Sequence, residues 1–195
     1  MEIAVIDYKG GNVQSVLFAL ERLGVQATLT ADAEAIRRAD KIIFPGEGEA
    51  ASAMRELRAQ GLAELLPTLT QPFLGVCLGM QLLGQHSEEG DTELLGILPF
   101  RVRRFQPDAQ HKVPHMGWNT LQALRTPLLA GLSENDYVYF VHSYYAPVGE
   151  YTIAQGLYPA PFSAAVQHRN FYAVQFHAEK SGPVGTRILQ NFLSL

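Results

Sequence analysis

The stretch Phe73-Leu74-Gly75-Val76-Cys77-Leu78-Gly79-Met80-Gln81 places the only cysteine of the chain between two glycines. Pro72 and a short apolar run precede it, and Leu78-Gly79-Met80-Gln81-Leu82-Leu83 reads as the start of a helix. A strand that enters a helix through Gly-x-Cys-x-Gly is the thiol form of a nucleophile elbow. Small flanking residues permit a sharp, strained turn that lifts the side chain above a sheet. Free amides at the start of the new helix favour a thiolate, the form that attacks carbonyl carbon. A lone cysteine is also often a small buried hydrophobe, and this segment alone leaves both readings open.

Toward the N-terminus, strands and helices alternate. Ile3-Ala4-Val5-Ile6 is an unbroken apolar run ending at Asp7, followed by Gly10-Gly11-Asn12 and a helical pattern over 13–23. There Val13, Val16, Leu17, Leu20 and Leu23 keep a 3.6-residue period until Gly24 stops it. A second strand is expected over 25–30, then a short helix capped by Asp32 through Arg38. A third strand over 41–44 closes on Pro45-Gly46-Glu47-Gly48, with helices over 50–59 and 62–69 leading to Pro72. Alternation of this kind predicts an α/β fold whose parallel sheet is covered on both faces. Sites in such sheets form at the carboxyl ends of the strands, here the loops 8–12 and 45–48 and the cysteine elbow.

Beyond Leu94 the pattern changes to short strands with turn signals, over 97–105, 113–121, 137–145, 151–157, 163–168 and 171–176. These predict antiparallel hairpins, with His168-Arg169-Asn170 as a tight turn. A closing helix over 184–193 carries Ile188, Leu189 and Phe192 on one face. No repeat, low-complexity tract or linker interrupts the chain, so one domain over 1–195 is expected.

At 195 residues and 47% hydrophobic, the chain is long enough for a substantial core. Its net charge of −4 argues against a general nucleic-acid binder. Arg101, Arg103 and Arg104, with Lys112, form the one basic cluster and read as a solvated strand edge or, less simply, an interaction surface. One cysteine rules out an internal disulfide and fits a reducing compartment. No apolar run approaches the ~20 residues that span a bilayer. The opening Met1-Glu2-Ile3-Ala4-Val5-Ile6-Asp7 reads as a core strand rather than a signal peptide. Cytoplasm is the expected compartment, with no membrane partner.

A thiol nucleophile needs a base, and the base needs an orienting acceptor. Of six histidines, His86 is expected on the polar side of the elbow helix, and His111 and His168 in polar turns. His115 and His142 sit in aromatic-rich strands as core or interface residues. His177 differs: it follows Ala173-Val174-Gln175-Phe176 at a strand end, and Glu179 comes two residues later. In extended chain i and i+2 share a face, so the carboxylate can reach the far imidazole nitrogen and fix its tautomer. Cys77, His177 and Glu179 then fill the roles of nucleophile, base and orienter. His-x-Glu without a further His or Cys cluster is a poor metal site. Pro45-Gly46-Glu47-Gly48 can present backbone N–H groups to a developing oxyanion, or be an ordinary tight turn. A phosphate loop is excluded because no Gly-Lys-Ser/Thr follows.

Three segments together, Gly75-Val76-Cys77-Leu78-Gly79-Met80-Gln81, Gln175-Phe176-His177-Ala178-Glu179 and Pro45-Gly46-Glu47-Gly48, resemble the class I (triad) glutamine amidotransferases. Within that family, Val113-Pro114-His115-Met116-Gly117-Trp118-Asn119 and Tyr139-Phe140-Val141-His142-Ser143-Tyr144 are similar to the branch of glutaminase subunits that serve imidazole glycerol phosphate synthesis. The resemblance implies a flavodoxin-like three-layer fold with a mostly parallel, mixed sheet. It implies that Cys77 attacks the side-chain amide of glutamine, with His177 moving the proton and Glu179 orienting it. Backbone groups of Gly46, Glu47 and Leu78 would form the oxyanion hole after a peptide reorientation. Gln81, Glu89, Ser143 and Tyr144 match positions that hold the amino-acid end of glutamine.

The implied partner is a (β/α)8-barrel cyclase subunit in a heterodimer, which receives the ammonia and makes imidazole glycerol phosphate and AICAR from PRFAR in histidine biosynthesis. His115, Trp118, Asn119, Tyr139 and Lys180 match positions facing it. No cofactor and no metal are implied. Two departures stand out: Ala178 where the family usually has proline, and Glu47 where a small apolar residue is common. Subunits serving pyridoxal phosphate, anthranilate or aminodeoxychorismate synthesis are the alternative, against which His115-Met116-Gly117-Trp118-Asn119 argues.

Overall fold

Three short apolar segments of the N-terminal half build the centre of a seven-stranded sheet. The computed structural model describes residues 1–10 and 13–195. Its first half runs β1 (Ile3–Ile6), α1 (Val13–Arg22), β2 (Ala27–Thr30), α2 (Ala33–Arg38), β3 (Lys41–Phe44), α3 (Ala50–Ala59), α4 (Leu62–Leu65), β4 (Phe73–Val76) and α5 (Leu78–Gln81). The second half adds β5 (His86–Ser87), β6 (Thr92–Glu93), β7 (Arg101–Arg104), β8 (His115–Thr120), β9 (Tyr137–His142) and β10 (Tyr144–Tyr145). It closes with β11 (Thr152–Leu157), β12 (Pro161–His168), β13 (Phe171–Val174) and α6 (Gly182–Ser194). Of the expected loop 8–12, Gly11 and Asn12 lie outside the described residues.

The main sheet has the order β11-β12-β13-β4-β3-β1-β2. β13, β4, β3, β1 and β2 are mutually parallel, while β12 and β11 add antiparallel at one edge. The central strands read as continuous apolar runs because both faces are buried. Along β1, Ala4 and Ile6 join one core while Ile3 and Val5 join the other. Ile42 and Phe44 alternate with Ile43 in the same way on β3. Ile36, Met54, Leu57 and Leu65 from α2, α3 and α4 cover the first face. Val16 and Leu20 of α1 and Ile188, Leu189 and Phe192 of α6 cover the second. Each such side chain contributes roughly 1.5–3 kcal/mol of burial, and the result is the three-layer α/β fold expected from the sequence.

Several expected elements differ. The strand over 97–105 shortens to β7, since Leu98 N–H is engaged by Leu83 O and Pro99 has none to give. The strand over 137–145 breaks at Ser143, so β9 pairs with β8 while β10 joins a separate small sheet, β10-β7-β5-β6. β7 lies inside that sheet, so Arg101, Arg103 and Arg104 are exposed on its surface without forming an edge. The helix over 62–69 is one α turn followed by a 3-10 turn at Leu66–Thr68.

The elbow helix is also shorter than expected. Gly84 lies so close to Phe100 that an added Cβ would fall 2.5 Å from its ring, and the chain turns away there. His86 therefore lies in β5, 8% exposed, with Nε2 2.8 Å from Asp91 Oδ1, and is no surface residue of a helix.

Candidate active site

β4 delivers Cys77 to the carboxyl end of the sheet, as an elbow requires. Cys77 has φ +54° and ψ −111°, a region that costs a non-glycine residue of order 1–3 kcal/mol. The flanking glycines make the turn possible. A Cβ on Gly75 would sit 2.9 Å from Gly79 O, and one on Gly79 would overlap the Phe44 carbonyl of β3. The thiol is 6% exposed; Sγ lies 3.9 Å from Val141 O and accepts from Gln175 Nε2 at 3.8 Å.

His177 follows β13, the strand beside β4, and is held from several sides. Its N–H donates to Tyr139 O at 2.9 Å, and its carbonyl accepts from Ser181 Oγ at 2.6 Å. Nδ1 is 2.7 Å from Glu179 Oε1, with both side chains almost fully buried. Nε2 makes no hydrogen bond of ordinary length. Burial alone would lower the His177 pKa, but hydrogen bonding and negative charge from Cys77 and Glu179 outweigh it and raise it to about 10. Thus Cys77, His177 and Glu179 are brought together in the order that nucleophile, base and orienter require. Ala178 is fixed by packing: it is 2% exposed and its carbonyl accepts from Ser181 N–H.

A cleft of about 360 Å³ opens over the thiol, lined by Cys77, Leu78, His177 and by Gln81, Glu89, Ser143 and Tyr144. Gln81 gives both amide hydrogens to carbonyl oxygens, Tyr144 O at 2.9 Å and Gln175 Oε1 at 3.0 Å, leaving its Oε1 as the free acceptor. Glu89 accepts from Ala50 N–H at the start of α3, and burial raises its pKa against that bond.

The two segments expected to supply an oxyanion hole are in contact with each other. Leu78 N–H donates to Gly46 O at 3.3 Å, so the Gly46–Glu47 peptide turns its carbonyl toward the helix N-terminus. Glu47 pairs with Lys180 Nζ at 2.7 Å and lies 3.8 Å from His177 Nδ1. Donor atoms of Glu47, His177 and Glu179 fall within 4.8 Å of one another. A cation there would have to displace both the Lys180 ammonium and the His177–Glu179 bond.

The β8–β9 hairpin pairs His115 with His142 and Trp118 with Tyr139. Directly opposed residues share a face, so Met116, Trp118, Tyr137 and Tyr139 turn outward, while His115, Phe140 and His142 turn inward. Trp118 is 55% exposed and in edge contact with Tyr139. His115 is buried, stacked between Tyr158 and Phe140, and Asn119 is half-buried with its amide donated to Leu157 O. Period-two alternation puts His115 and Asn119 on the side of the hairpin opposite Trp118 and Tyr139. The same alternation exposes Met116 and Tyr137 beside Trp118.

The family profile described as Glutamine amidotransferase class-I matches residues 4–195. The chain belongs to the class-I glutamine amidotransferases. It is 53% identical over 196 residues to a protein of Bacteroides thetaiotaomicron named imidazole glycerol phosphate synthase subunit HisH, with both chains fully covered. A protein of the same name from Idiomarina loihiensis is 48% identical over 195 residues, covering 100% of this chain and 98% of its own. Among solved structures, one described as a glutamine amidotransferase superimposes with a TM-score of 0.75 at 20% identity, over 98% of this chain and 97% of its own. That likeness shows the amidotransferase fold.

Proposed function

We infer that this chain is the glutaminase subunit of an imidazole glycerol phosphate synthase, acting in histidine biosynthesis. The observation that carries the reading is an intact Cys77/His177/Glu179 constellation above a glutamine-sized cleft, on a chain about half identical, over its full length, to proteins bearing that name. Cys77 attacks the side-chain amide carbon of glutamine, and His177 passes the thiol proton to the departing ammonia. Water, deprotonated by His177, then hydrolyses the glutamyl thioester to glutamate and restores the thiol. Glu179 holds the imidazole in one tautomer throughout. Gln81, Glu89, Ser143 and Tyr144 hold the amino-acid end of the substrate.

The oxyanion hole takes the Leu78 and Glu47 N–H groups. At rest the first is engaged by Gly46 O and the second faces away, so turnover waits for the Gly46–Glu47 peptide to turn. This accords with a glutaminase active only when its product has a taker. In neutral water ammonia is largely protonated and lost as a nucleophile, so it must pass directly to a closed partner site. The partner in this reading is a (β/α)8-barrel cyclase, docked as a heterodimer on the outward face of the β8–β9 hairpin that carries Trp118 and Tyr139, with Lys180 lining the cleft. The chain is then a single amidotransferase domain over 1–195 working in the cytoplasm.

Reconstitution with the cyclase tests the reading. Cys77→Ala abolishes glutamine-dependent synthesis of imidazole glycerol phosphate and leaves synthesis from added ammonium salt intact. Glutamine-dependent synthesis that survives the substitution, or no synthesis from either source with the native chain, overturns it.

A further inference from the structure

Tyr8 is buried beside the thiol, and the chemistry above gives it no task. It stands at the end of β1, 1% exposed, and its hydroxyl has no hydrogen-bond partner among the described residues. Leaving a buried hydroxyl unpaired costs stability, and such groups call for an explanation. The ring cannot swing aside to find one. Its edge rests on Phe44 at a centroid distance of 5.5 Å, and Gly10 lies so close that a Cβ there would overlap it.

The hydroxyl points at the oxyanion loop. A Cβ built on Gly46 would lie 2.9 Å from Tyr8 Oη and 2.6 Å from Gly79 N. Gly46 thus lies close against both the elbow helix and the phenol. Burial raises the Tyr8 pKa, and the negative charge of Cys77 and Glu47 raises it further, so the phenol stays a proton donor.

When the Gly46–Glu47 peptide turns its N–H toward the substrate, the Gly46 carbonyl leaves Leu78 N–H and swings to the opposite side. A carbonyl so displaced in a buried place needs a new donor. A cavity of about 150 Å³ lined by Tyr8, Gly10, Glu47, Gly48 and Ser52 adjoins the loop and gives it room to move. We propose that the Tyr8 hydroxyl receives the Gly46 carbonyl in the turned state, making Tyr8 the positioning residue that holds the oxyanion hole open. The orphaned hydroxyl at rest and the satisfied one in the active state are two halves of one device. The inference rests on the glutaminase reading above.

Tyr8→Phe removes only the hydroxyl. In complex with liganded cyclase, kcat for glutamine hydrolysis falls about tenfold, the factor that one ordinary hydrogen bond can carry. KM for glutamine stays within about twofold, as expected for a group that acts on the transition state alone. Synthesis from ammonium salt and iodoacetamide labelling of Cys77 are unchanged. The melting temperature of the free chain is equal or higher, because the resting state loses an unpaired polar group. A merely structural tyrosine gives the opposite: lower melting temperature, altered labelling and a proportionate loss of all activities. That outcome, an unchanged kcat, or a change confined to KM overturns the assignment. A native chain without cyclase-stimulated glutamine hydrolysis defeats the glutaminase reading instead, so the two failures are separable.

Discussion

Lowering the pH from 7 to 5 destabilises the free chain chiefly through His115 and His142. Burial lowers the His142 pKa to about 3, against the Tyr144 hydrogen bond and with repulsion from His115 and His177 adding to it, and lowers that of His115 to about 4 with repulsion from His111. The hydrogen bonds are satisfied with both rings neutral. With His142 Nδ1 donating to Tyr144 O at 2.8 Å, the neutral ring's Nε2 accepts from His115 Nδ1 at 3.1 Å. In the unfolded chain each ring takes up a proton near pH 6.5. Between that value and their folded values the unfolded state binds more protons, so stability falls as pH falls through this window. Integrated from pH 7 to pH 5, each ring contributes a loss of about 2 kcal/mol, together about 4 kcal/mol.

His177 acts in the other direction, since its folded pKa of about 10 lies above the unfolded value. The stability it adds is complete below pH 6.5 and is lost as pH rises through 10. From pH 7 to 5 it therefore returns about 1 kcal/mol, leaving a net loss of about 3 kcal/mol. Urea denaturation of the free chain across this range, for the native protein and for His115→Gln/His142→Asn, measures the slope. The variant starts less stable but loses its part of the pH dependence, about 4 kcal/mol over the two units. Parallel slopes for the two proteins refute the reasoning.

Two further outcomes concern the cleft mouth and the hairpin. Glu47→Gln breaks the ion pair with Lys180; both partners are about one-third exposed, so the pair is worth about 1 kcal/mol and its loss raises partner-free glutamine hydrolysis about fivefold. High salt brings the native chain toward the variant, and an unchanged or lower partner-free rate counts against the ion pair as a restraint on the loop. Trp118→Ala weakens cyclase binding by about 2 kcal/mol or more, read as at least a thirtyfold higher Kd in titration. The melting temperature of the free chain stays put, because Trp118 is 55% exposed in it. Unaltered affinity moves the docking face elsewhere.

The central strands, their helices and the Cys77/His177/Glu179 cluster were legible in the chain because each rests on a local rule. β1, β3 and β4 announce themselves as short apolar runs between turn signals, and α2 begins at Asp32, whose carboxylate caps Ala35 N–H at 2.7 Å. The elbow is written in the spacing of Gly75, Cys77 and Gly79, and the base with its orienter in the two-residue step from His177 to Glu179. The second half was less legible. Ser143 carries no breaking signal, yet it ends β9, because Phe105 N–H takes its carbonyl and draws the chain to a second sheet. His86 was misplaced because the shortness of the elbow helix comes from Phe100, sixteen residues away, pressing on Gly84.

Sequence by itself determined the three-layer architecture, the Gly75-Cys77-Gly79 elbow and the His177–Glu179 step, since backbone propensity, hydrophobic period and short spacings are properties of contiguous residues. Only the tertiary structure decided that His115 turns inward while Met116 and Trp118 turn outward, and that Glu47 meets Lys180 across 133 residues of chain. It alone sets the Gly46 carbonyl against Leu78 N–H and leaves the Tyr8 hydroxyl unpaired beside it. The orientation of one peptide plane and the partner of one hydroxyl depend on which distant groups packing brings within hydrogen-bond reach. No local pattern encodes that, and it is there that the resting state of this active site is set.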